Sequence, residues 1–160
     1  SDLVIKRLVS LCTLLVFFTA VVVARGYKVP QYEIMGAGSG TEGTVLVKVY
    51  VYGKNVSDAD LRCAAVHGVV FRGCSSGNMS GTRQPAMASP MVETDNATFC
   101  ESFFSPEGQC QSYASIVSGS YDRVKTQKGY KYGAIIQVDK SALRKDLEKA
   151  GIVRSLSSGF

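Results

Sequence analysis

Cys63 and His67 are the two side chains whose types and spacing most resemble a reactive pair. They stand four residues apart in a segment that we predict to be helical, so both project from one side of that helix. An imidazole beside a thiolate can serve as base and nucleophile, and with further cysteines it can hold zinc. The pair therefore indicates one function, a small hydrolase or metal-dependent enzyme, to be weighed against a structural role.

The rest of the sequence does not complete that chemistry. His67 is the only histidine of the chain, and no oxyanion donor or orienting group can be identified for it. Asp58 and Asp60 are spaced as helix caps rather than as a paired acid and base. We therefore expect His67 to be a buried core residue, and we predict a protein without enzymatic activity, catalytic residues, metal or cofactor.

Charge and motif context argue against two further classes of protein, those that bind nucleic acid and those that bind nucleotides. The 160 residues are 46% hydrophobic and carry a net charge of +5, which suits one packed domain and gives only a weak footprint for nucleic acid, so no nucleic-acid partner is expected. Residues 38–43 match the G-x-G-x-x-G fingerprint of dinucleotide sites. That fingerprint needs a strand before it and a helix after it, whereas a strand follows here, so nucleotide binding is not predicted.

The first 24 residues have the layout of an export signal. Lys6 and Arg7 precede an uncharged apolar run, 8–24, that ends in small residues. We predict a signal peptide over 1–24, cleaved after Ala24, and a protein that is exported to the periplasm or associated with the outer membrane. The alternative is a retained anchor at the short limit for crossing a bilayer, and membrane contact would then be made only through this uncleaved segment.

Export makes the four cysteines that follow the signal candidates for disulfides. A helix through Cys63 would hold it about 15 Å from Cys74, which is too far for a bond. Cys100 and Cys110 flank a turn at 105–108 and are the pair that we predict first. Free buried thiols are the alternative, because cysteine is among the most buried residue types.

Hydrophobic periodicity and turn residues divide the chain further. The predicted segments are a signal peptide (1–24), a glycine-rich linker (25–43), an α+β domain (44–153) and a C-terminal tail (154–160). The domain's predicted elements run β-α-loop-α-β-β-α: strand 44–54, helix 59–72, loop 73–93, helix 94–104, strands 121–126 and 130–138, and helix 139–150. Because strands and helices do not alternate, we expect a small antiparallel or mixed sheet with helices packed on one face.

Strand 44–54 also supplies a candidate contact surface. Alternate valines mark one face as core, and the other face carries Tyr50 and Tyr52. Tyrosine offers a large contact area at small rotamer cost. These two residues are therefore a predicted interface, although rings that merely cover the back of the sheet explain them equally well.

Several segments resemble known exported proteins. Strands VLVKVYVYG (45–53) and YKYGAIIQV (130–138), the helix with Ala64-Ala65, and LRKDL (143–147) resemble the small N-terminal α+β domain of flagellar-assembly protein T and Helicobacter-type surface lipoproteins. Over roughly 34–160, the segments AVHGVVFRG (65–73), LRKDLEKAGI (143–152) and SSGF (157–160) look like an exported Bacteroidota family of unknown function. The resemblance implies an envelope role and brings no catalytic motif.

The leading functional interpretation is a non-enzymatic cell-envelope module. It would act by contact with an envelope protein or by self-association, and Tyr50 and Tyr52 are its candidate interface residues. Two alternatives belong to other classes. One is the periplasmic hydrolase or metal-dependent enzyme that uses Cys63 and His67, and the other is a periplasmic ligand binder that uses the loop 73–93.

Overall fold

The computed structural model describes residues 2–4, 27–75 and 83–155, and within them the chain folds as an α+β protein. Five antiparallel strands form one open sheet, which confirms the predicted fold class. The elements in chain order are β1 (Tyr32–Ser39), β2 (Thr44–Tyr52), α1 (Asp58–Phe71), α2 (Pro90–Asp95), α3 (Ala97–Phe103), a 3-10 helix (Gln109–Tyr113), β3 (Ala114–Ile116), β4 (Asp122–Thr126), β5 (Gly129–Asp139) and α4 (Lys140–Lys149). No helix in the described ranges has both the length and the apolar character needed to cross a membrane.

The sheet is organised around β5, its longest strand. β1 pairs with β2, and β2 pairs with β5 in a register that sets Tyr50 opposite Gly133. β3 and β4 both pair with the other edge of β5, one beyond the other along its length. The hairpin predicted from 121–126 and 130–138 is confirmed as β4 and β5.

The valine alternation of β2 decides which face of the sheet is buried. β-branched side chains pack well on a pleated surface, and every inward residue of this strand is at most 5% exposed. The core cluster that covers this face also includes residues of β5, α1 and α4, among them Ala134, Ile136, Val138, Val66, Val70, Leu143 and Leu147. The predicted packing of helices on one face follows from this single hydrophobic layer.

α1 has the cap and the stop that its sequence indicates. The hydroxyl of Ser57 accepts a hydrogen bond from the Asp60 amide at 3.2 Å, and the Asp60 carboxylate accepts one from the Ser57 amide at 3.0 Å. Gly73 follows the helix with φ +66°, and a Cβ there would stand 2.4 Å from the carbonyl oxygen of Gln84. Only glycine fits this position, because both the conformation and the space exclude a side chain.

The predicted glycine-rich linker 25–43 is wrong, because it contains the strand β1. Tyr32 at the start of this strand is only 4% exposed, and the pairing with β2 shifts register between Gly36 and Gly38. Gly38 has φ +128°, a conformation that a bulge needs and that glycine adopts readily. The glycines therefore build an irregular edge strand, and the domain begins before residue 44.

The remaining elements agree with the sequence in outline. The helix predicted over 139–150 is confirmed as α4, which begins at an Asp139 cap bonded to the Ala142 amide. The helix predicted over 94–104 is instead two short helices, α2 and α3, and β3 was not predicted. Beyond residues 2–4 the predicted signal peptide lies outside the described residues, as do 156–160 of the tail and 76–82 of the predicted loop.

Candidate functional site

The face of the sheet turned away from α1 carries no helix in the described part of the chain. The strand registers place one set of side chains on it, and we call this surface the open face: Glu33, Lys48, Tyr50, Tyr52, Asp122, Lys131 and Ile135. All of them except Asp122 are half-buried, because they cover one another across the strands. The predicted interface residues thus lie on a surface that α1 to α4 leave uncovered.

Tyr50 is held by a carboxylate from the opposite edge of β5. Its hydroxyl donates to Asp122 Oδ2 at 2.6 Å, and Lys48 Nζ lies 3.9 Å from the same oxygen. The hydrogen bond to Asp122 raises the pKa of Tyr50 to about 12 and lowers the pKa of Asp122 below its ordinary value. The bond therefore stays formed at neutral pH.

Tyr52 is held in the same way, by a carboxylate of the neighbouring strand β1. Its hydroxyl donates to Glu33 on β1, and Lys131 Nζ contacts the second oxygen of Glu33 at 2.9 Å. The hydrogen bonds from Tyr52 and Lys131 lower the pKa of Glu33. Lys131 also lies 4.6 Å from the centre of the Tyr50 ring, which connects the two tyrosines through one cation.

Gly133 explains how the Tyr50 ring can lie close to β5. A Cβ at this glycine would stand 2.6 Å from the ring atoms Cδ1 and Cε1 of Tyr50. The ring therefore occupies the space that the missing side chain leaves on β5 and covers its backbone. Tyr50 is partly a packing residue, whereas Tyr52 has no such glycine beneath it.

The predicted Cys100–Cys110 disulfide is wrong, because Cys110 pairs with Cys63. The Cα atoms of Cys63 and Cys110 are 5.3 Å apart, within the normal range for a disulfide. α1 packs against the 3-10 helix that carries Cys110, and this long-range contact brings the two sulfurs together. Cys74 and Cys100 are free and buried, so the exclusion of a Cys63–Cys74 bond is confirmed.

This bond also decides the role of the Cys63 and His67 pair. A sulfur in a disulfide is neither a nucleophilic thiolate nor a metal ligand. Among the described residues, no group of three or more His, Cys, Asp or Glu side chains is arranged to hold a metal ion. The structure therefore gives the predicted hydrolase or metalloenzyme pair no chemical means of acting together.

His67 instead lies at the centre of a buried hydrogen-bonded cluster. Its Nδ1 is 2.6 Å from the Tyr32 hydroxyl, and its Nε2 is 2.6 Å from Glu93 Oε1. The rings of Phe71 and Phe104 pack against the imidazole at centroid distances of 5.2 and 5.0 Å. The prediction of a buried histidine is correct, and both of its ring nitrogens have side-chain partners.

The partners fix the tautomer of the imidazole. A carboxylate only accepts hydrogen bonds, so Nε2 carries the proton that is donated to Glu93, and Nδ1 accepts from Tyr32. Burial lowers the pKa of His67, although the hydrogen bond to Glu93 opposes the shift. Burial likewise raises the pKa of Tyr32 well above its usual value. Both groups are therefore neutral at pH 7.

The lowered pKa of His67 predicts how stability depends on pH. The unfolded chain, with a histidine pKa near 6.5, takes up a proton at a higher pH than the folded chain does. The contribution of neutral His67 is thus complete above about pH 6.5 and is lost as the pH falls towards the folded pKa, with a slope of at most about 1.4 kcal/mol per pH unit. We expect the melting temperature to fall between pH 7 and pH 5.

A matched variant separates this effect from the acidic residues. His67→Gln should remove most of the decrease between pH 7 and pH 5, because it is the only histidine. Glu33 and Asp122 have lowered pKa values, so they change the stability only below their ordinary pKa values of 4.5 and 3.8. That range lies outside the window between pH 7 and pH 5. An equal decrease in the variant and the natural chain, measured by thermal unfolding, would contradict the assignment.

The free cysteines are not activated. Burial raises the pKa of Cys100 to about 11 and also raises the pKa of Cys74. Thiols of this kind are unreactive at neutral pH, because the thiolate is the nucleophile. Both are best understood as small apolar residues of the core.

Sequence reasoning missed Tyr32 and Glu93 as partners of His67. Glu93 belongs to α2, at the end of the predicted loop 73–93, and Tyr32 belongs to the unrecognised strand β1. Their separations from His67 are 26 and 35 residues, and no local pattern signals such contacts. The only available signal was the burial expected of His67, since a buried imidazole needs partners for both nitrogens.

Comparison of this chain with protein-family models, with curated proteins and with solved structures found no match. The resemblance to exported Bacteroidota proteins and to flagellar-assembly protein T stays a prediction.

Proposed function

We propose that this chain is an exported, non-enzymatic cell-envelope module that acts through its open face, by contact with an envelope protein or with a second copy of itself. The observation that carries the proposal is the arrangement of Tyr50 and Tyr52. Both rings lie on the side of the sheet turned away from α1, and both hydroxyls are held by carboxylates of neighbouring strands. A tyrosine pair that is already ordered loses little rotamer entropy when a partner covers it.

The chemistry of the open face suits a protein partner. Aromatic rings next to paired charges provide contact area together with directional hydrogen bonds, the combination enriched at interface centres. Lys48, Lys131, Glu33 and Asp122 alternate in sign around the rings. This local neutrality favours a partner with a similarly mixed surface over nucleic acid, which needs a continuous basic patch.

Export is supported by two independent features of the chain. The apolar run 8–24 follows Lys6 and Arg7, as in a secretory signal. The Cys63–Cys110 disulfide is typical of an oxidising compartment such as the periplasm. Together they favour the periplasm or the outer membrane as the place where the open face would meet its partner.

The Tyr52→Ser variant tests the proposed contact. Tyr52 does not cover a glycine, so the variant should keep the fold, and we expect the melting temperature to change by less than about 4 °C. Association should weaken by at least about tenfold if the ring lies at an interface centre. Sedimentation velocity over a range of concentrations measures self-association, and co-purification from the envelope fraction measures binding to another protein.

Tyr121→Ser is the matched control for this test. Tyr121 is 56% exposed, and its hydroxyl donates to Asp58 at the start of α1, so it lies on the helix side of the sheet and its loss should leave association unchanged. The double variant of Tyr50 and Tyr52 to Ser should weaken association further and also reduce stability, because Tyr50 covers Gly133. Association that is unaffected by Tyr52→Ser would assign the tyrosines to packing and refute the contact.

A further inference from the structure

A cavity of about 400 Å³ lies beside the His67 cluster, between the end of α1, the residues that precede β1, and α2 with α3. This volume is within the range of roughly 300–1,000 Å³ that small-molecule sites occupy. The cavity is separate from the open face, since none of the tyrosine network residues of that face lines it. Its lining can therefore be considered as a site of its own.

Two cations and two carboxylates line the cavity. Lys28 and Arg72 come from the segment before β1 and from the end of α1, whereas Glu93 and Glu101 come from α2 and α3. Arg72 is fixed in place, with Nη1 donating to the Tyr32 carbonyl at 3.1 Å and the guanidinium 4.0 Å from the Tyr32 ring centre. A lining with equal numbers of both charges, carried by different elements, matches a ligand that itself carries both charges.

The groups on both sides keep hydrogen-bonding capacity. An arginine has five N–H donors, and the contact of Arg72 with the Tyr32 carbonyl uses one nitrogen. Glu93 gives one oxygen to His67 and is still 37% exposed, which leaves its second oxygen for a donor. Within the described part of the chain, no hydrogen bond or ion pair engages the side chain of Lys28 or Glu101.

The apolar part of the lining mixes aliphatic and aromatic residues. Val29, Ala97 and Tyr27 line the cavity together with Tyr32 and Phe104, but Tyr32 and Phe104 are only 4% and 2% exposed. A ligand side chain would therefore meet mainly Val29, Ala97 and Tyr27.

From this lining we infer that the cavity binds an α-amino acid in its zwitterionic form. Its carboxylate would contact Arg72 and Lys28, its ammonium group would contact Glu93 and Glu101, and its side chain would pack against Val29 and Ala97. His67 would not contact the ligand itself. It would hold the Glu93 carboxylate in position through the hydrogen bond that its Nε2 donates.

The experiment uses L-phenylalanine as the probe and the chain with its disulfide intact. We expect saturable chemical-shift changes at the backbone amides of residues 32, 67, 72 and 93 in nitrogen-15 NMR spectra, with no change at residues 50 and 52. Two matched probes each lack one charge: N-acetyl-L-phenylalanine and L-phenylalanine amide. Each should bind at least about tenfold more weakly, since each loses a charge-assisted hydrogen bond.

Charge-neutralising variants locate the two ends of the ligand. Glu101→Gln should weaken binding of L-phenylalanine but leave that of N-acetyl-L-phenylalanine unchanged, and Lys28→Gln should do the same for L-phenylalanine and its amide. Both residues are exposed, so the fold should persist, and Lys125→Gln on β4 serves as a control outside the cavity. The inference is overturned by an absence of saturable shifts at about 10 mM probe, by equal binding of all three probes, or by shifts confined to the open face.

Discussion

Replacing Cys63 and Cys110 together by alanine is expected to lower the free energy of unfolding by about 4 kcal/mol. The two cysteines are separated by 47 residues, and closing a loop of that length removes about this much conformational entropy from the unfolded chain. The bond also joins α1 to the 3-10 helix beneath the sheet, and both cysteines are fully buried. Urea unfolding of the natural chain and the double variant measures the difference.

Reductant provides the control for the disulfide prediction. Dithiothreitol should reduce the stability of the natural chain towards that of the Cys63→Ala/Cys110→Ala variant, and it should leave the variant itself unchanged. Cys74 and Cys100 remain in both proteins, so reactions of free thiols cancel in the comparison. A difference below about 1 kcal/mol, or an equal effect of reductant on both proteins, would contradict the pairing.

Replacing His67 by leucine is expected to cost about 3 kcal/mol of stability. Leucine fills a similar space between Phe71 and Phe104, but it cannot accept from Tyr32 or donate to Glu93. The Tyr32 hydroxyl is then left buried without a partner, because Tyr32 is 4% exposed. An unsatisfied buried polar group costs about 1–3 kcal/mol, and the lost bond to a charged group adds to it.

A double-mutant cycle distinguishes a lost hydrogen-bond pair from simple misfitting. Tyr32→Phe should cost about 1 kcal/mol in the natural chain, but nothing or less than nothing in the His67→Leu background, where the hydroxyl has already lost its acceptor. Urea unfolding of the four proteins gives the coupling energy. Strictly additive effects would show that the 2.6 Å contact between Tyr32 and His67 contributes no stability of its own.

The parts of the fold that were predictable carry short-range patterns. The valine alternation of β2 identified the buried face, and the same alternation placed Tyr50 and Tyr52 on the other one. The sequence indicates the start of α4 by the Asp139 cap and its end by Gly151, which has φ +75°. In each case the local conformational preference and the tertiary packing favour the same structure.

The failures share one physical cause, since they concern contacts between residues far apart in the chain. The sequence of β1 resembles a linker, because the bulge at Gly38 needs glycine and a flexible segment also contains glycine. The disulfide was predicted across the nearby turn, whereas the packing of α1 against the 3-10 helix selects Cys63 for Cys110. Proximity along the chain suggests which cysteines could pair, but the packing of the core determines which of them form the disulfide.

The candidate site was predictable to a similar extent. The tyrosines of β2 were identified, but the side chains that hold them, Glu33, Asp122 and Lys131, lie on three other strands. These three side chains reach the tyrosines only because of the order of the strands in the sheet. That order cannot be predicted when β1 is not recognised from the sequence. The ordering of the two rings is therefore a tertiary property of the sheet.

Site-specific photo-cross-linking in the native envelope tests the proposed contact most directly. A photoreactive phenylalanine analogue at position 52 stands on the open face, and the same analogue at the exposed position 121 stands on the helix side, where Tyr121 contacts Asp58 of α1. We expect position 52 to give one discrete cross-linked product, with an envelope protein or with a second copy of the chain, and position 121 to give none. Equal products from both positions, or none from position 52 in a correctly folded and exported chain, would contradict a function that depends on the open face.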